Sequence, residues 1–310
     1  MEKQLETFSE QRKLQLHRMQ EEEADFAKME LDKQHELLVK VAEVVGKALE
    51  VCGVCILEEI GNIYQFFNGL LRLNEFAVET QITVCFFDDL VEFGGPKAIP
   101  LYQPWVPTIV ELMAHPHSDV RQSSVYGLGV LAEVNPELFS SVLGNVLNGL
   151  NQLITMEGSR EDENVHVTEN AISAMGKIIQ FHSNSIDVSA VLPVWLSYLP
   201  VTEDDETSAI YKQLCHFMMH HSSVVVGENL GRLQMVLVLF IEILGSPLIE
   251  EETNPLIAQI LKQFPAEKMQ SIYQQLNPEQ QGKGEQLHCI SQLTPVQKNL
   301  KQYCHRYLIV

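Results

Sequence analysis

Apolar residues recur at helical spacing between Trp105 and Glu133, and they fall into two stripes. The first stripe consists of Val106, Ile109, Val110 and Leu112, and the second consists of Val120, Val125, Leu128 and Leu131. Residues 115–118 read His-Pro-His-Ser and interrupt the pattern between the two stripes. The pattern therefore predicts two short amphipathic helices that fold back on each other, with Ser118 as the N-cap of the second helix.

The second of these helices contains Gly127 and Gly129, which have no side chains to hold a neighbouring helix away. A helix pair this small cannot bury its own apolar faces, so it requires similar neighbours. Residues 163–179 repeat the pattern of residues 119–135 about 44 residues later, a period typical of HEAT and armadillo repeats. In this alignment Glu163 corresponds to Asp119, and Asn170 corresponds to Tyr126.

Helical patterns and short breaks alternate along most of the chain. The starts of second helices are predicted near Thr80, Ser118, Asp162, Thr202 and Glu250. Alternation typical of β-strands is absent. The sequence therefore predicts an all-α fold, a HEAT-repeat (armadillo-like) α-solenoid of about five to six antiparallel helix pairs over residues 38–281. Residues 1–37 form a charged helix or a mobile segment in this interpretation, and residues 282–310 form a divergent, basic cap or tail.

Composition narrows the classes of partner. The chain has 310 residues, of which 45% are hydrophobic, and its formal net charge is -20. Such a field repels phosphate backbones and attracts basic proteins, so nucleic acid is not expected as a ligand. Six scattered cysteines within apolar patterns indicate free thiols in a reducing compartment. Neither a secretion signal nor a membrane-spanning segment is predicted.

Two clusters could bind metal but have simpler explanations. Cys52 and Cys55 have CxxC spacing, yet no second pair follows at the distance that a zinc site requires. His216 and His220 share a helix face, with His221 beside them, but the glutamate of a metalloprotease motif is missing. We interpret the histidines as surface residues, and we predict no metal and no cofactor.

No catalytic motif occurs in the sequence. Asp88 and Asp89 are adjacent, so on a helix their side chains diverge by about a hundred degrees and cannot act together as a general acid and base. We expect one inward polar contact and one solvated charge. Phosphate-binding loops and nucleophile elbows are also absent, so the chain is not predicted to be an enzyme.

A binding surface is the remaining interpretation. Second helices line the concave side of a helical solenoid, and their polar faces would form a mostly acidic track for lysine-rich or arginine-rich segments of a partner protein. The candidate contacts on this track are Asp119, Gln122, Tyr126, Glu133, Glu163, His166 and Asn170.

Six motifs in a fixed order resemble the C-terminal part of beta-3-type karyopherins, members of the importin-beta superfamily. They are FDD (87–89), DVRQ (119–122), YGLGV (126–130), ENVHVTENAISAMGKI (163–178), VLPVWLSYLP (191–200) and NPEQQ (277–281). The resemblance covers roughly residues 41–281, and the order of the motifs is far more specific than any one of them.

The resemblance implies a superhelical nuclear transport receptor that imports protein cargo through the nuclear pore and shuttles between cytoplasm and nucleus. It further implies binding of phenylalanine-glycine (FG) nucleoporins and release of cargo by the GTPase Ran. Family members are several times longer, and the main Ran contacts are expected in N-terminal repeats absent from this sequence. Two alternatives stay open: a cytosolic HEAT-repeat scaffold, and a truncated receptor without autonomous transport activity.

Overall fold

Helices provide all the regular structure in the computed structural model. It describes residues 24–73, 76–201, 203–244 and 246–278, together with residues 11, 14 and 280, and these contain α-helices and short 3-10 turns but no strand. The prediction of an all-α chain is confirmed. We find no helix in these ranges with both the length and the apolar character needed to cross a membrane. The chain divides between Val188 and Ser189 into two compact units.

The first unit is a stack of helix pairs. Its described helices are α1 (Ala24–Cys52), α2 (Gly61–Leu73), α3 (Ala77–Phe93), α4 (Ile99–Tyr102), α5 (Val106–Leu112), α6 (Ser118–Val134), α7 (Pro136–Ser140), α8 (Leu143–Thr155) and α9 (Val165–Phe181). Helices α1, α3, α6 and α9 pack side by side in that order, and we call them the row of second helices. Helices α2, α5 and α8 pack against α3, α6 and α9, respectively, as first helices of their pairs.

The predicted apolar stripes form the core of this stack. Val120, Val125, Leu128 and Leu131 of α6 are completely buried. Full burial of one such side chain contributes about 1.5–3 kcal/mol relative to leaving it exposed. Between the first and second helices of the preceding pair, Phe67 of α2 stacks on Phe86 of α3 with ring centroids 4.6 Å apart. Burial of these stripes stabilises each pair against its neighbours.

The predicted starts of the second helices agree with the structure to within three residues. The observed starts are Ala77, Ser118, Val165, Asp204 and Thr253. The prediction that Ser118 caps α6 is wrong. The N-cap is His117, whose extended backbone (φ -82°, ψ 131°) places Ser118 already inside the helix, and no side chain caps this end.

Both glycines of α6 allow close helix packing, as predicted. A Cβ atom on Gly127 would lie 1.8 Å from Asp88 Oδ1 of α3. On Gly129 it would lie 3.0 Å from the Cβ and 3.2 Å from the Cα of Ala174 in α9. Helix α6 therefore contacts both of its neighbours in the row at positions that only glycine fits without displacement.

Arg121 joins successive repeats at the beginning of α6. Its Nη1 atom donates to the carbonyl oxygens of His115 and Pro116 at 2.8 and 2.7 Å. Its Nη2 atom donates to Asn164 Oδ1, just before α9, at 2.6 Å. Asn164 Nδ2 in turn donates to the Gly158 carbonyl oxygen. One buried guanidinium thus fixes the turn that precedes its own helix and the start of the next second helix.

The second unit is also built from packed helices. Its described helices are α10 (Val188–Leu196), α11 (Asp204–His220), α12 (Ser222–Val226), α13 (Leu233–Ile243), α14 (Thr253–Leu261) and α15 (Ala266–Tyr273). Trp195 of α10 makes an edge-to-face contact with Phe217 of α11, with ring centroids 5.1 Å apart. Helix α11 packs against α14, and Lys212 of α11 forms an ion pair with Glu250 in the turn before α14.

The ends of the chain are described only in part. The segment predicted to end at residue 37 is described from residue 24 on, where it belongs to α1, and α1 continues through residues 37 and 38 without a break. The predicted cap or tail, residues 282–310, lies outside the described residues.

Candidate protein-interaction surface

Six of the seven candidate contact residues lie on α6 and α9, and Glu163 lies in the turn just before α9. Their exposure varies. Asp119, Glu133, Glu163 and His166 are exposed, Gln122 and Tyr126 are half-buried, and Asn170 is buried. The Asn170 side chain is 5% exposed and donates to the His166 carbonyl oxygen of its own helix at 2.9 Å. Asn170 is therefore buried within the stack and is not part of the exposed surface.

Tyr126 lies where three second helices meet. Its hydroxyl group donates to Glu92 Oε2 of α3 at 3.2 Å. Lys177 Nζ of α9 lies 5.7 Å from the centroid of the Tyr126 ring and 3.7 Å from Glu133 Oε2. We call Glu92, Tyr126, Glu133 and Lys177 the Tyr126 junction. Its members come from α3, α6 and α9, so a ligand that covers the whole junction contacts three successive repeats.

Two carboxyl groups of α3 lie beside this junction. Burial, followed by the charges of Glu92 and Glu50, raises the pKa of Asp89 to about 6. Burial, followed by Asp89 and Glu92, also raises the pKa of Asp88 well above its ordinary value. Asp88 Oδ1 is buried without a hydrogen-bond partner among the described residues. The sequence predicts that one of the two is inward, and this is Asp88, but Asp89 is half-buried rather than a fully solvated charge.

Glu92 is not among the contact residues predicted from the sequence, although repeat spacing identifies it. Glu50, Glu92 and Glu133 lie 42 and then 41 residues apart, each within the last three residues of a second helix. A search for acidic residues that recur at the repeat period finds this series without any structure. Lys177, in contrast, does not belong to a series that recurs at the repeat period. Only the packing of α9 against α6 brings it close to Glu133.

The cysteines and histidines considered as metal ligands do not belong to the Tyr126 junction. Cys52 ends α1 and Cys55 lies in the 3-10 turn after it, and both are exposed. His216 in α11 is half-buried, and burial, followed by His220 and His221, lowers its pKa to about 4. Across the described ranges, no three His, Cys, Asp or Glu side chains are grouped so that they could hold a metal ion.

Comparison with known proteins identifies the repeat and its relatives. A HEAT repeat model matches residues 106–134, which span α5 and α6. The chain is 33% identical over 208 residues to "Probable importin-5 homolog" of Dictyostelium discoideum, covering 62% of this chain and 18% of that protein. It is 26% identical over 211 residues to "Importin subunit beta-3" of Saccharomyces cerevisiae, covering 67% of this chain and 19% of that protein. The chain thus spans less than a fifth of the length of these two relatives.

Solved structures share the fold. The structure of Kap121p bound to Ste12p matches with a TM-score of 0.69 and 20% identity, covering 91% of this chain and 25% of that one. Structures of Kap121p bound to RanGTP and to Nup53p match with TM-scores of 0.65 and 0.67, each at 20% identity and covering 88% of this chain and 24% of the other. The fold class is therefore that of the HEAT-repeat solenoid of karyopherins, as predicted.

Proposed function

This chain is homologous to the karyopherins of the importin-beta family, and from that premise we propose that it is part of a nuclear transport receptor that binds basic protein cargo. The proposed cargo surface is the exposed face of the row of second helices, centred on the Tyr126 junction. It includes Asp119, Gln122, Glu163 and His166 toward the beginnings of α6 and α9. The surface binds and releases a partner without covalent chemistry.

The observation that carries this proposal is the placement of Glu50, Glu92 and Glu133. They lie at the C-terminal ends of α1, α3 and α6, where the helix dipole is negative and a cation is favourable. None of these three helices has a basic residue in its last turn. Acidic residues at this end destabilise a helix slightly, by about 0.3–1 kcal/mol each. Glu50 is paired with Lys47 of its own helix at 2.7 Å, and Glu133 is paired with Lys177 of α9 at 3.7 Å. All three glutamates are exposed, so the series fits a surface that can receive further positive charge from a partner.

The spacing of the row defines the kind of cargo segment that fits. Packed helices lie roughly 8–10 Å apart, and an extended peptide advances about 3.3 Å per residue. A lysine or arginine at about every third position can therefore face successive helix ends. One exposed ion pair contributes only about 0.2–1 kcal/mol, so measurable affinity requires several repeats to be engaged together. The proposed ligand is an extended basic segment rather than a single residue.

The test measures binding of a fluorescent lysine-rich peptide to the full chain by anisotropy. Glu92→Gln combined with Glu133→Gln is expected to weaken binding about tenfold, because two contacts of about 0.7 kcal/mol each are removed. The matched control is Glu111→Gln combined with Glu137→Gln, exposed glutamates of α5 and α7 outside the row of second helices. Both double variants change the net charge equally. Equal weakening in the two variants would show that only the overall field acts and would contradict the proposed surface.

Release by RanGTP, contact with FG nucleoporins and shuttling between cytoplasm and nucleus complete the proposal for the whole receptor. Their support is that Kap121p, which shares the fold, has been crystallised with RanGTP and with Nup53p. A pull-down from nuclear extract, with and without RanGTP, separates this function from that of a cytosolic scaffold. A receptor recovers basic nuclear proteins and nucleoporins in a Ran-sensitive manner. If RanGTP does not change the binding of these proteins to the complete receptor, the scaffold function is favoured.

A further inference from the structure

A pair of imidazoles on α11 has no role in the surface described above. His216 and His220 are four residues apart, so they lie one turn apart on the same helix face. Their ring centroids are 4.3 Å apart, with an angle of 36° between the ring planes. His220 is exposed and His216 is half-buried beneath it. The pair is therefore open to solvent on one side and held by the helix on the other.

The hydrogen bonding of this pair differs from that of other histidines in the chain. His182 Nε2 lies 2.9 Å from the Ala132 carbonyl oxygen, and His35 Nε2 lies 3.3 Å from Glu79 Oε1. His115 Nδ1 accepts from the backbone N–H of His117. In the part of the chain that the structure describes, the rings of His216 and His220 make ring contacts but no hydrogen bond. No described residue therefore occupies the ring nitrogens of the pair, and the His220 ring is exposed to a ligand from solvent.

We propose that His216 and His220 together chelate one divalent transition-metal ion, with Zn²⁺ as the representative case. Imidazole nitrogen is a favoured ligand of Zn²⁺, Cu²⁺ and Ni²⁺. Two nitrogens bound to one Zn²⁺ at about 2.0–2.1 Å in tetrahedral geometry lie roughly 3.3 Å apart. Side chains at positions i and i+4 have Cβ atoms about 5–6 Å apart, so rotation of the exposed His220 ring brings the two nitrogens to that separation.

Water or a partner supplies the remaining ligands. No third protein ligand joins the pair among the described residues, so the site is open rather than a closed structural zinc site. An open two-histidine site binds metal on the surface and can accept a ligand from another protein. This role is separate from the acidic surface on the row of second helices, because α11 belongs to the second unit and the Tyr126 junction to the first.

The experiment titrates ZnCl2 into the full, metal-free chain and follows both heat release and the thermal unfolding midpoint. A ligand that binds only the folded state raises the midpoint with concentration, so wild type should show a rise that chelator reverses. His220→Ala should weaken Zn²⁺ binding at least about tenfold, because one of the two ligands is lost. His216→Ala should weaken Zn²⁺ binding to a similar extent. If this variant of a half-buried residue folds poorly, the variant of the exposed His220 still tests the proposal.

Two control variants distinguish this site from other metal-binding groups. His117→Ala removes an exposed histidine of the other close pair, whose rings are 5.7 Å apart, and should leave Zn²⁺ binding unchanged. Cys52→Ser combined with Cys55→Ser removes the exposed thiols and should also leave it unchanged. Three results would overturn the proposal. They are no Zn²⁺ binding by the wild type, unchanged Zn²⁺ binding by His220→Ala, and loss of Zn²⁺ binding when the two thiols are removed.

Discussion

Asp88 and Asp89 lie against glycines of the helices on either side of α3. A Cβ on Gly127 of α6 would lie 1.8 Å from Asp88 Oδ1, and a Cβ on Gly46 of α1 would lie 2.3 Å from Asp89 Oδ2. The two carboxyl groups are therefore close-packed between three helices rather than solvated on one. Burial disfavours their charged forms, and neighbouring glutamates disfavour them further. Ionisation of either carboxyl group therefore costs free energy in the folded chain.

Replacement of Asp89 by asparagine should change how stability depends on pH. The folded pKa of Asp89 is raised to about 6, above the value of about 3.9 in an unfolded chain. Its neutral form therefore stabilises the fold below pH 4, and this contribution is lost as pH rises through about 6. Asp89→Asn should be more stable than wild type at pH 7.5, by about 1–2 kcal/mol after solvent screening, and close to wild type at pH 4.

Urea unfolding at the two pH values measures this difference. Asp32→Asn, on the exposed side of α1, is the matched control, and it should give the same difference from wild type at both pH values. An Asp89→Asn variant whose advantage is equal at pH 4 and pH 7.5 would show that Asp89 does not titrate as described.

Among the elements of the first unit, α6 has the greatest contact with other helices, since it packs between α3 and α9 in the row. Its two glycines face opposite neighbours, which is why the helix accepts close contact on both sides. Arg121 adds a polar link from its first turn to Asn164 at the start of α9. The contact of α6 with α9 therefore determines how closely two repeats stack.

Substitution of Gly129 by alanine should loosen this contact. A methyl group there meets the Ala174 backbone at 3.2 Å, and insertion of a methyl group into a packed interface costs about 1–3 kcal/mol. Alanine regains only about 1 kcal/mol of helix propensity, so a net loss of up to about 2 kcal/mol is expected. Gly69→Ala, in α2, is the control, because a Cβ there meets no atom within 4 Å and should stabilise by up to about 1 kcal/mol.

Thermal and urea unfolding of both variants measure the difference. If Gly129→Ala stabilises the chain as much as Gly69→Ala does, then α6 and α9 can move apart without a cost in the free energy of unfolding.

For the molecule as a whole, charge is the property that bears most on the proposed function. The formal net charge is -20, and acidic residues recur on successive second helices of the first unit. The electrostatic fields of these charges add up, so they attract a basic partner at distances too long for any single ion pair. A field of this sign accelerates the approach of basic segments and repels nucleic acid. The acidic field provides long-range attraction, and the proposed Tyr126 junction provides contact.

Association with a lysine-rich peptide should therefore slow markedly as salt is added. The Debye length falls from about 30 Å at 0.01 M to about 3 Å at 1 M ionic strength, which removes the long-range attraction. Stopped-flow measurement at roughly 0.01 and 0.5 M salt should show a fall in the association rate constant of at least tenfold. A peptide of the same length with glutamine in place of lysine is the control. An association rate that does not respond to salt would contradict electrostatic steering.

The sequence by itself determined the helix pairs, their period and the apolar spine. Each of these features depends on spacing along the sequence. An apolar stripe such as Val125, Leu128 and Leu131 must be buried, whichever helix packs against it. The sequence also carried the Glu50, Glu92 and Glu133 series, since a recurring residue is visible at the repeat period. The resemblance to karyopherins likewise rested on motifs that can be read without coordinates.

Tertiary structure decided which polar residues face outward and which ones meet. Asn170 aligns with Tyr126 in the repeat, yet Asn170 is buried and Tyr126 is half-buried. Helices α6 and α9 begin 47 residues apart rather than 44, so an alignment of the sequence does not fix the rotation of one helix relative to the next. Exposure of a helix face depends on the neighbours on both sides. The contact of Lys177 with Glu133 and the link from Arg121 to Asn164 therefore depend on packing that no single repeat specifies.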